Sequence, residues 1–260
     1  MICFVRLQLK FSPLRLALPP SLSYRHVRIK QSIHTLSPEP SLGYGQKPSQ
    51  EDFQNSHRNE GLSKTGKDRL VFNEIRDQII AKRIRIKKGT MQGEFFIEAD
   101  RGEYGKPRGN DATRRSKDST SATKNHEKHY GYKQNTLTNE IKIIEKLSVT
   151  PANVHDSMID LSIPGIVCCR DKGYFGSECR GINGTMYCSF RGHKLPMRGI
   201  RRNLRISRIR SIVEHPYAFK KRMFGFSHTM VTTVQIVRVK KYFTAICYNL
   251  MRSRHLERIA

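Results

Sequence analysis

Residues 163–174 read Ile163-Pro164-Gly165-Ile166-Val167-Cys168-Cys169-Arg170-Asp171-Lys172-Gly173-Tyr174. Ile163–Arg170 is a compact, mostly apolar run after a Pro-Gly turn signal, and it fits a strand buried inside a sheet. The run ends at Asp171, which stands before Lys172 and Gly173. A carboxylate at the C-terminal end of an internal strand, beside a glycine turn, is well placed to hold a metal ion. It is equally well placed to cap a following helix, and the residues alone leave both roles open.

Working outward, the chain supplies partners for such a strand on both sides. Upstream, His129-Tyr130-Gly131-Tyr132-Lys133 opens a stretch of alternating and β-branched residues through Thr150 that predicts a pair of strands. Phe95-Phe96-Ile97 predicts a short buried strand. Leu70, Val71, Ile75, Ile79, Ile80 and Ile84 recur at helical spacing and predict a helix ending near Lys88-Gly89. Arg101–Lys128 has few apolar residues and reads as a loop or mobile basic arm. Val154–Leu161 predicts a short helix after Pro151, with His155 and Asp156 as caps rather than a catalytic pair. Tyr130 and Tyr132 share one strand face and read as core or interface. Downstream, Ile206–Phe224 is helical in spacing, with Pro216 predicting a kink or a fresh start. Val231–Met251 predicts a longer helix. Helix, strands, short helix, strand, helix, helix is the order of a mixed α/β layered domain.

Composition limits what this domain does. The 260 residues hold 48 Lys and Arg against 22 acids, a formal net charge of +26. Such a charge calls for a polyanionic partner, and nucleic acid is the usual one, although a generic basic protein of the ribosomal kind has the same balance. No apolar run reaches the roughly 18 residues of a membrane span. The six cysteines, Cys3, Cys168, Cys169, Cys179, Cys188 and Cys247, form no C-x-x-C pair, which speaks against a zinc site and for reduced thiols in a cytosolic protein. Residues 1–61 are rich in Arg, Ser, Leu and Pro, show no sustained period and read as a disordered or atypical N-terminal extension. They resemble a transit peptide or a poor signal peptide; the favoured alternative is coding sequence fused out of context.

A second acid stands out. Glu214 lies among Arg201, Arg202, Arg205, Arg208, Arg210, Lys220, Lys221 and Arg222. One acid in a basic field is ordinarily a salt-bridge partner, yet a DNA-cutting site needs the same mixture, carboxylates for divalent metal and cations for phosphate. Arg210, Glu214 and Lys221 fall on roughly one helical face.

Taken in order, Lys64-Thr65-Gly66-Lys67-Asp68-Arg69, Lys87-Lys88-Gly89-Thr90-Met91-Gln92, the 129–133 segment, Ser148-Val149-Thr150-Pro151-Ala152-Asn153-Val154-His155-Asp156-Ser157, Arg170–Tyr174 and Ile206–Pro216 resemble the DDE-domain transposases of bacterial and archaeal insertion sequences. The resemblance covers roughly residues 62–254. It implies a ribonuclease-H-like fold, a mixed sheet flanked by helices carrying three acids on adjacent elements. It implies DNA cleavage and strand transfer at element ends, with Mg2+ or Mn2+ as cofactor. The implied partner is double-stranded DNA, bound by a homodimer assembled on it, and the implied location is the cytoplasm, at the nucleoid. Asp171 and Glu214 match the second and third acids and are the expected metal ligands. Arg208, Arg210, Lys220 and Lys221 are the expected DNA contacts. Ser207 stands where the family often has Tyr.

The first acid departs from the pattern. The family places it on the first strand directly after residues of the Thr-Met-Gln type, and here that position is Gly93. Glu94 is next but points to the other face of a strand. Asp100, the candidate retained for the catalytic set, comes seven residues later. Either would complete the set only with a shifted backbone. The expectation is therefore a transposase with an incomplete triad. The alternatives are a non-catalytic DNA-binding remnant of a decayed element and, more remotely, an unrelated RNA-binding protein.

Overall fold

In the computed structural model the described residues are 61–81, 89–99, 118–124, 126–190, 192–231 and 233–259. The expected N-terminal extension up to residue 60, the last turns of the expected first helix, Asp100 and most of the expected basic arm lie outside them.

Among the described residues the fold is α/β, a seven-stranded mixed sheet flanked by helices. Its strands are β1 (Thr90–Ala99), β2 (Thr120–Lys124), β3 (Glu127–Asn139), β4 (Ile144–Pro151), β5 (Val167–Arg170), β6 (Ile182–Thr185) and β7 (His228–Thr229). The helices are α1 (Lys67–Ala81), α2 (Met197–Arg210), α3 (Glu214–Phe224) and α4 (Val234–Ile259). β1, β3 and β4 form an antiparallel set, and β2 extends the same edge of β3 that β4 occupies. β5 joins the other edge of β1 in parallel, β6 follows β5 in parallel, and β7 pairs with the far end of β1.

Several elements differ from the sequence expectation, each for a tertiary reason. β1 runs for ten residues rather than three, because it is paired on both edges. The C-terminal end of the expected basic arm becomes β2, folded onto β3. The expected helix at 154–161 shrinks to a single 3-10 turn, Asp156–Met158, with the His155 side chain capping Ser157 N. The apolar run at 163–170 contributes four residues to β5, since Gly165 turns the chain at φ 77° before it. At Pro216 the expected fresh start is seen, without a kink. The proline sits in the first turn of α3, where the missing N–H has no helical partner to lose, and a 3-10 turn at Ser211–Val213 joins α2 to α3.

Alternation along β1 places Met91, Gly93, Phe95 and Ile97 on one face and Gln92 and Glu94 on the other. The first face meets two apolar clusters. Ile97 joins Phe72, Tyr132, Ile144, Val237 and Tyr242 under α1 and α4. Met91 joins Cys169, Ile206, Val213, Tyr217 and Phe226 under α2 and α3. Phe95 packs against both. Tyr130 and Tyr132 are core residues, as the strand pattern predicts. Gly131 is needed where β2 and β1 both cross β3, because a Cβ there would run into the Ile97 carbonyl. At the edge of the sheet Asn249 of α4 stands in for a neighbouring strand: its Oδ1 accepts from Ile144 N and its Nδ2 donates to Ile144 O, both at 2.9 Å. No helix among the described residues is long and apolar enough to cross a membrane.

Candidate functional site

Asp171 leaves the end of β5 and caps the 3-10 turn Lys172–Tyr174, its Oδ1 accepting from Lys172 N at 2.6 Å. Its support is Arg170, fully buried one residue earlier. The Arg170 guanidinium donates to Thr185 Oγ1 (2.9 Å), to Glu178 O (2.8 Å) and to Ser177 O (3.3 Å), which ties β5 to β6 and to the loop after the turn. A charged residue closing an apolar run was the one sequence signal for this network.

Asp160 anchors the outer side of the same network. It lies 3.9 Å from Arg170 and accepts from Ser162 N, Ser162 Oγ, Arg180 N and Arg180 Nε. Burial pushes its pKa up, but the hydrogen bonds from Ser162 and Arg180 outweigh this and hold it at about 2, below the ordinary 3.8. A carboxylate with a depressed folded-state pKa contributes stability that is present above its ordinary pKa and lost as the pH falls through the folded value. Thermal midpoints measured from pH 5 to pH 2 are thus expected to fall in the window from about 4 to about 2. Asp160→Asn should start lower and lose this dependence; parallel curves would show that the carboxylate is not what titrates.

Glu214 begins α3, directly after the 3-10 turn, and Arg210 ends α2 one turn earlier. Arg210 brings the two acids to one place. Its Nη1 lies 3.5 Å from Glu214 Oε1 and its Nη2 3.9 Å from Asp171 Oδ2. Both carboxylates are about half exposed, so these ion pairs are weak and exchangeable. The Arg210 Nε is buried with no hydrogen-bond partner.

Gly93 completes the picture by geometry. The parallel register pairs Thr90 with Cys168 and Met91 with Cys169, and its continuation sets Gly93 beside Asp171. A Cβ at Gly93 would lie 2.8 Å from Val213 Cγ1 and 3.6 Å from Tyr217 Cε2, so it points at the turn that carries Glu214. Tyr217 O–H reaches Gly93 O at 2.8 Å and Gln134 O at 3.2 Å, which clamps α3 onto β1 at that point. Val213 and Tyr217 thus bound the site, and only the folded packing reveals them.

Glu94 lies on the opposite face with Lys133 and Asp156. Lys133 Nζ is 2.9 Å from Asp156 Oδ1 and 3.9 Å from Glu94 Oε1. Ala99, the covalent neighbour of Asp100, is six residues along an extended strand from Gly93, roughly 20 Å; Asp100 itself lies outside the described residues. Asp171 and Glu214 alone do not fit a divalent-metal centre of the three-acid kind. A guanidinium already lies between them, and no group of three His, Cys, Asp or Glu among the described residues could hold a metal ion.

The basic residues divide sharply. Arg208 and Lys221 are exposed, as are Arg201 and Arg205. Lys220, expected at a DNA surface, is corrected: it is 0% exposed, with Nζ over the rings of Phe226 (4.1 Å) and Tyr217 (5.0 Å) and no hydrogen-bond partner. On the helix it is one residue off the face shared by Arg210, Glu214 and Lys221, and that 100° step turns it into the core. Cys168 and Cys169 are free and buried on opposite sheet faces, and burial pushes the Cys168 thiol up to about 12.

The transposase for insertion sequence element IS1106 of Neisseria meningitidis serogroup B is 28% identical over 169 residues, which cover 60% of this chain and 58% of the relative. The chain thus spans less than two thirds of that relative's length. No solved structure matches. The family model described as "Transposase DDE domain" matches residues 108–250, more than half of the chain and the part that holds Asp171, Arg210, Glu214 and Lys221. The chain belongs to the transposase DDE-domain family.

Proposed function

We propose that this chain acts on insertion-sequence DNA as a transposase that binds element ends but has lost strand cleavage and strand transfer at one position, Gly93. The observation that carries the reading is the meeting of Asp171 and Glu214 at Arg210, with Gly93 set beside Asp171 where the family pattern puts the first carboxylate. Two acids leave a divalent ion without the ligand set that fixes its geometry. The cationic side remains: Arg208 and Lys221 meet phosphates directly, and Arg210 exchanges its weak carboxylate pairs for a phosphate when DNA arrives. Two copies assemble on paired ends in this reading, at the nucleoid.

The test is equilibrium binding of the full chain to duplex DNA carrying the element's terminal repeat, followed across salt concentration with cleavage scored in Mg2+ and in Mn2+. Binding is expected to weaken steeply with salt, and Arg208→Ala and Lys221→Ala are each expected to reduce the log–log slope by about 1. Lys220→Met should leave the slope unchanged. No nicked product should form. Salt-independent binding would overturn the DNA reading, while cleavage that Asp171→Ala abolishes would overturn the loss of activity and mean that another carboxylate completes the site.

A further inference from the structure

Two helices of this chain turn complementary outer faces to solvent. We propose that α1 of one copy docks on α2 of a second copy, and that two such contacts close a two-fold pair of chains. The contact needs no DNA, so it goes beyond the DNA reading and stands or falls apart from it.

On α2 the residues opposite the buried Gly199, Asn203 and Ile206 are Met197, Arg201 and Leu204, spaced i, i+4, i+7. Met197 is 64% exposed and Leu204 56%, with Ile200 beside them. Arg198, Arg205 and Arg208 border this stripe, and α2 contains no acid. On α1 the residues opposite the buried Asp68, Phe72 and Ile79 are Leu70, Glu74 and Asp77, at the same spacing. Leu70 is 65% exposed and Val71 flanks it. Among the described helices α1 alone exposes two acids. Asp77 pairs with its neighbour Arg76, and Glu74 accepts from Gln78 Nε2 at 2.9 Å. Both are surface contacts that exchange readily.

Neither face is covered within one chain. α1 is seated on α4, with Phe72 5.3 Å from the Tyr242 ring and Asp68 3.2 Å from Arg238. α2 is seated on the sheet through Ile206, and through Asn203 and Arg202, which bond Tyr187 N and Thr185 O. With their inner sides held on separate parts of the sheet, the two outer faces meet only between copies. Apolar surface rimmed by charge is the pattern of a protein–protein site. Leu70 finds Met197 or Leu204 across the seam, and Glu74 and Asp77 find Arg201 and Arg205. Helices of 15 and 14 residues are both roughly 21–23 Å long, so the faces match end to end. Duplex DNA would satisfy the arginines but leave Leu70, Met197 and Leu204 in water. A second copy covers both kinds of residue.

The contact has a consequence for the acid pair. α2 ends at Arg210 and leads through one turn to Glu214. A partner clamped along α2 therefore fixes the acid pair of one copy relative to that of the other.

The experiment uses the full chain, freed of nucleic acid by nuclease and a high-salt wash, in sedimentation velocity. It is run at about 0.15 M salt, where the Debye length is roughly 8 Å and long-range repulsion between the basic chains is screened. The original chain is expected to dimerise at roughly tens of micromolar, as a small, partly polar interface allows. Glu74→Lys with Asp77→Lys, and separately Arg201→Glu with Arg205→Glu, should each weaken this by about tenfold or more. Mixed one to one, the two variants should dimerise again to within about threefold of the original, because both contacts of the mixed pair then join opposite charges. A misfolded chain cannot recover on mixing. Leu204→Ser alone should weaken dimerisation by about fivefold. An original chain that stays monomeric to about 200 μM overturns the contact. So does any of the variants dimerising as the original does, or a mixture that does not recover. Open-ended larger species of the original chain overturn the two-fold pair.

Discussion

Gly93→Asp is expected to switch on metal-dependent nicking of element-end DNA by about three orders of magnitude, the scale on which a missing catalytic group commonly acts. The register of β1 on β5 sets residue 93 next to Asp171, and its Cβ direction points at the turn before Glu214. A carboxylate there joins the other two on one face of the sheet. The substitution has a local cost, because the new Cβ would lie 2.8 Å from Val213 Cγ1, a short β-branched side chain with little freedom to give. Overpacking of this kind costs about 1–3 kcal/mol. Metal binding to the folded state offsets part of it. Two measurements follow on the same protein. In EDTA the variant should melt below the original chain, and Mn2+ should raise its midpoint while leaving that of the original chain unmoved. In Mn2+ the variant should nick DNA, and Asp171→Ala placed on top should silence it. A variant that gains the Mn2+ response but stays silent on DNA would move the remaining defect away from the triad. A variant with no Mn2+ response would overturn Gly93 as the position of the lost ligand.

Lys220→Met is expected to stabilise the fold by about 2–4 kcal/mol at pH 7, because an unpartnered buried amine is replaced by an apolar side chain of similar length. Two lysines share this pocket. Lys241 Nζ donates to Phe226 O at 3.0 Å and lies 4.1 Å from the same ring that Lys220 approaches from its own helix at 4.1 Å. Burial and the neighbouring Lys240 lower Lys241 to about 7, and burial with Lys241 lowers Lys220 well below its ordinary 10.5. The sign follows from proton counting. Between about pH 7 and 10.5 the unfolded chain keeps protons that the folded chain has released, so stability rises with pH across that window. Denaturant midpoints at pH 6, 8 and 10 should therefore climb for the original chain. The climb should be smaller for Lys220→Met and nearly absent for Lys220→Met combined with Lys241→Met. A Lys220→Met protein less stable than the original at every pH would mean that the amine has a partner that matters.

Both predictions rest on residues that the linear pattern handles unequally. Gly93 was legible as a departure, because Thr90-Met91-Gln92 before it and the Arg210, Glu214 and Lys221 spacing after it carry the family's pattern. The sheet, the internal strand ending at Asp171, the helical run through Glu214 and the long last helix were legible as well. Hydrophobic period is local information, and it survives in sequence. Lys220 was not legible. It differs from Lys221 by a single 100° step, and which of the two faces solvent depends on how α3 is rolled against β1 by Tyr217 and Val213.

The other differences have the same origin. β2 reads as a polar arm because it has no apolar face of its own; it becomes a strand through pairing with β3. The stretch at 154–161 reads as a helix, but Gln92 takes its backbone, with Nε2 donating to Ile159 O and Oε1 accepting from Leu161 N, and only one 3-10 turn remains. Sequence alone determined the basic character, the α/β order of elements, the family pattern and the glycine at position 93, since each is a property of residue type and spacing. Only the tertiary structure decided which charges face solvent, that Arg210 bridges Asp171 and Glu214, and that Val213 stands over Gly93. Those are contacts between residues far apart in the chain, and their geometry exists only once the sheet is closed and the helices are seated on it.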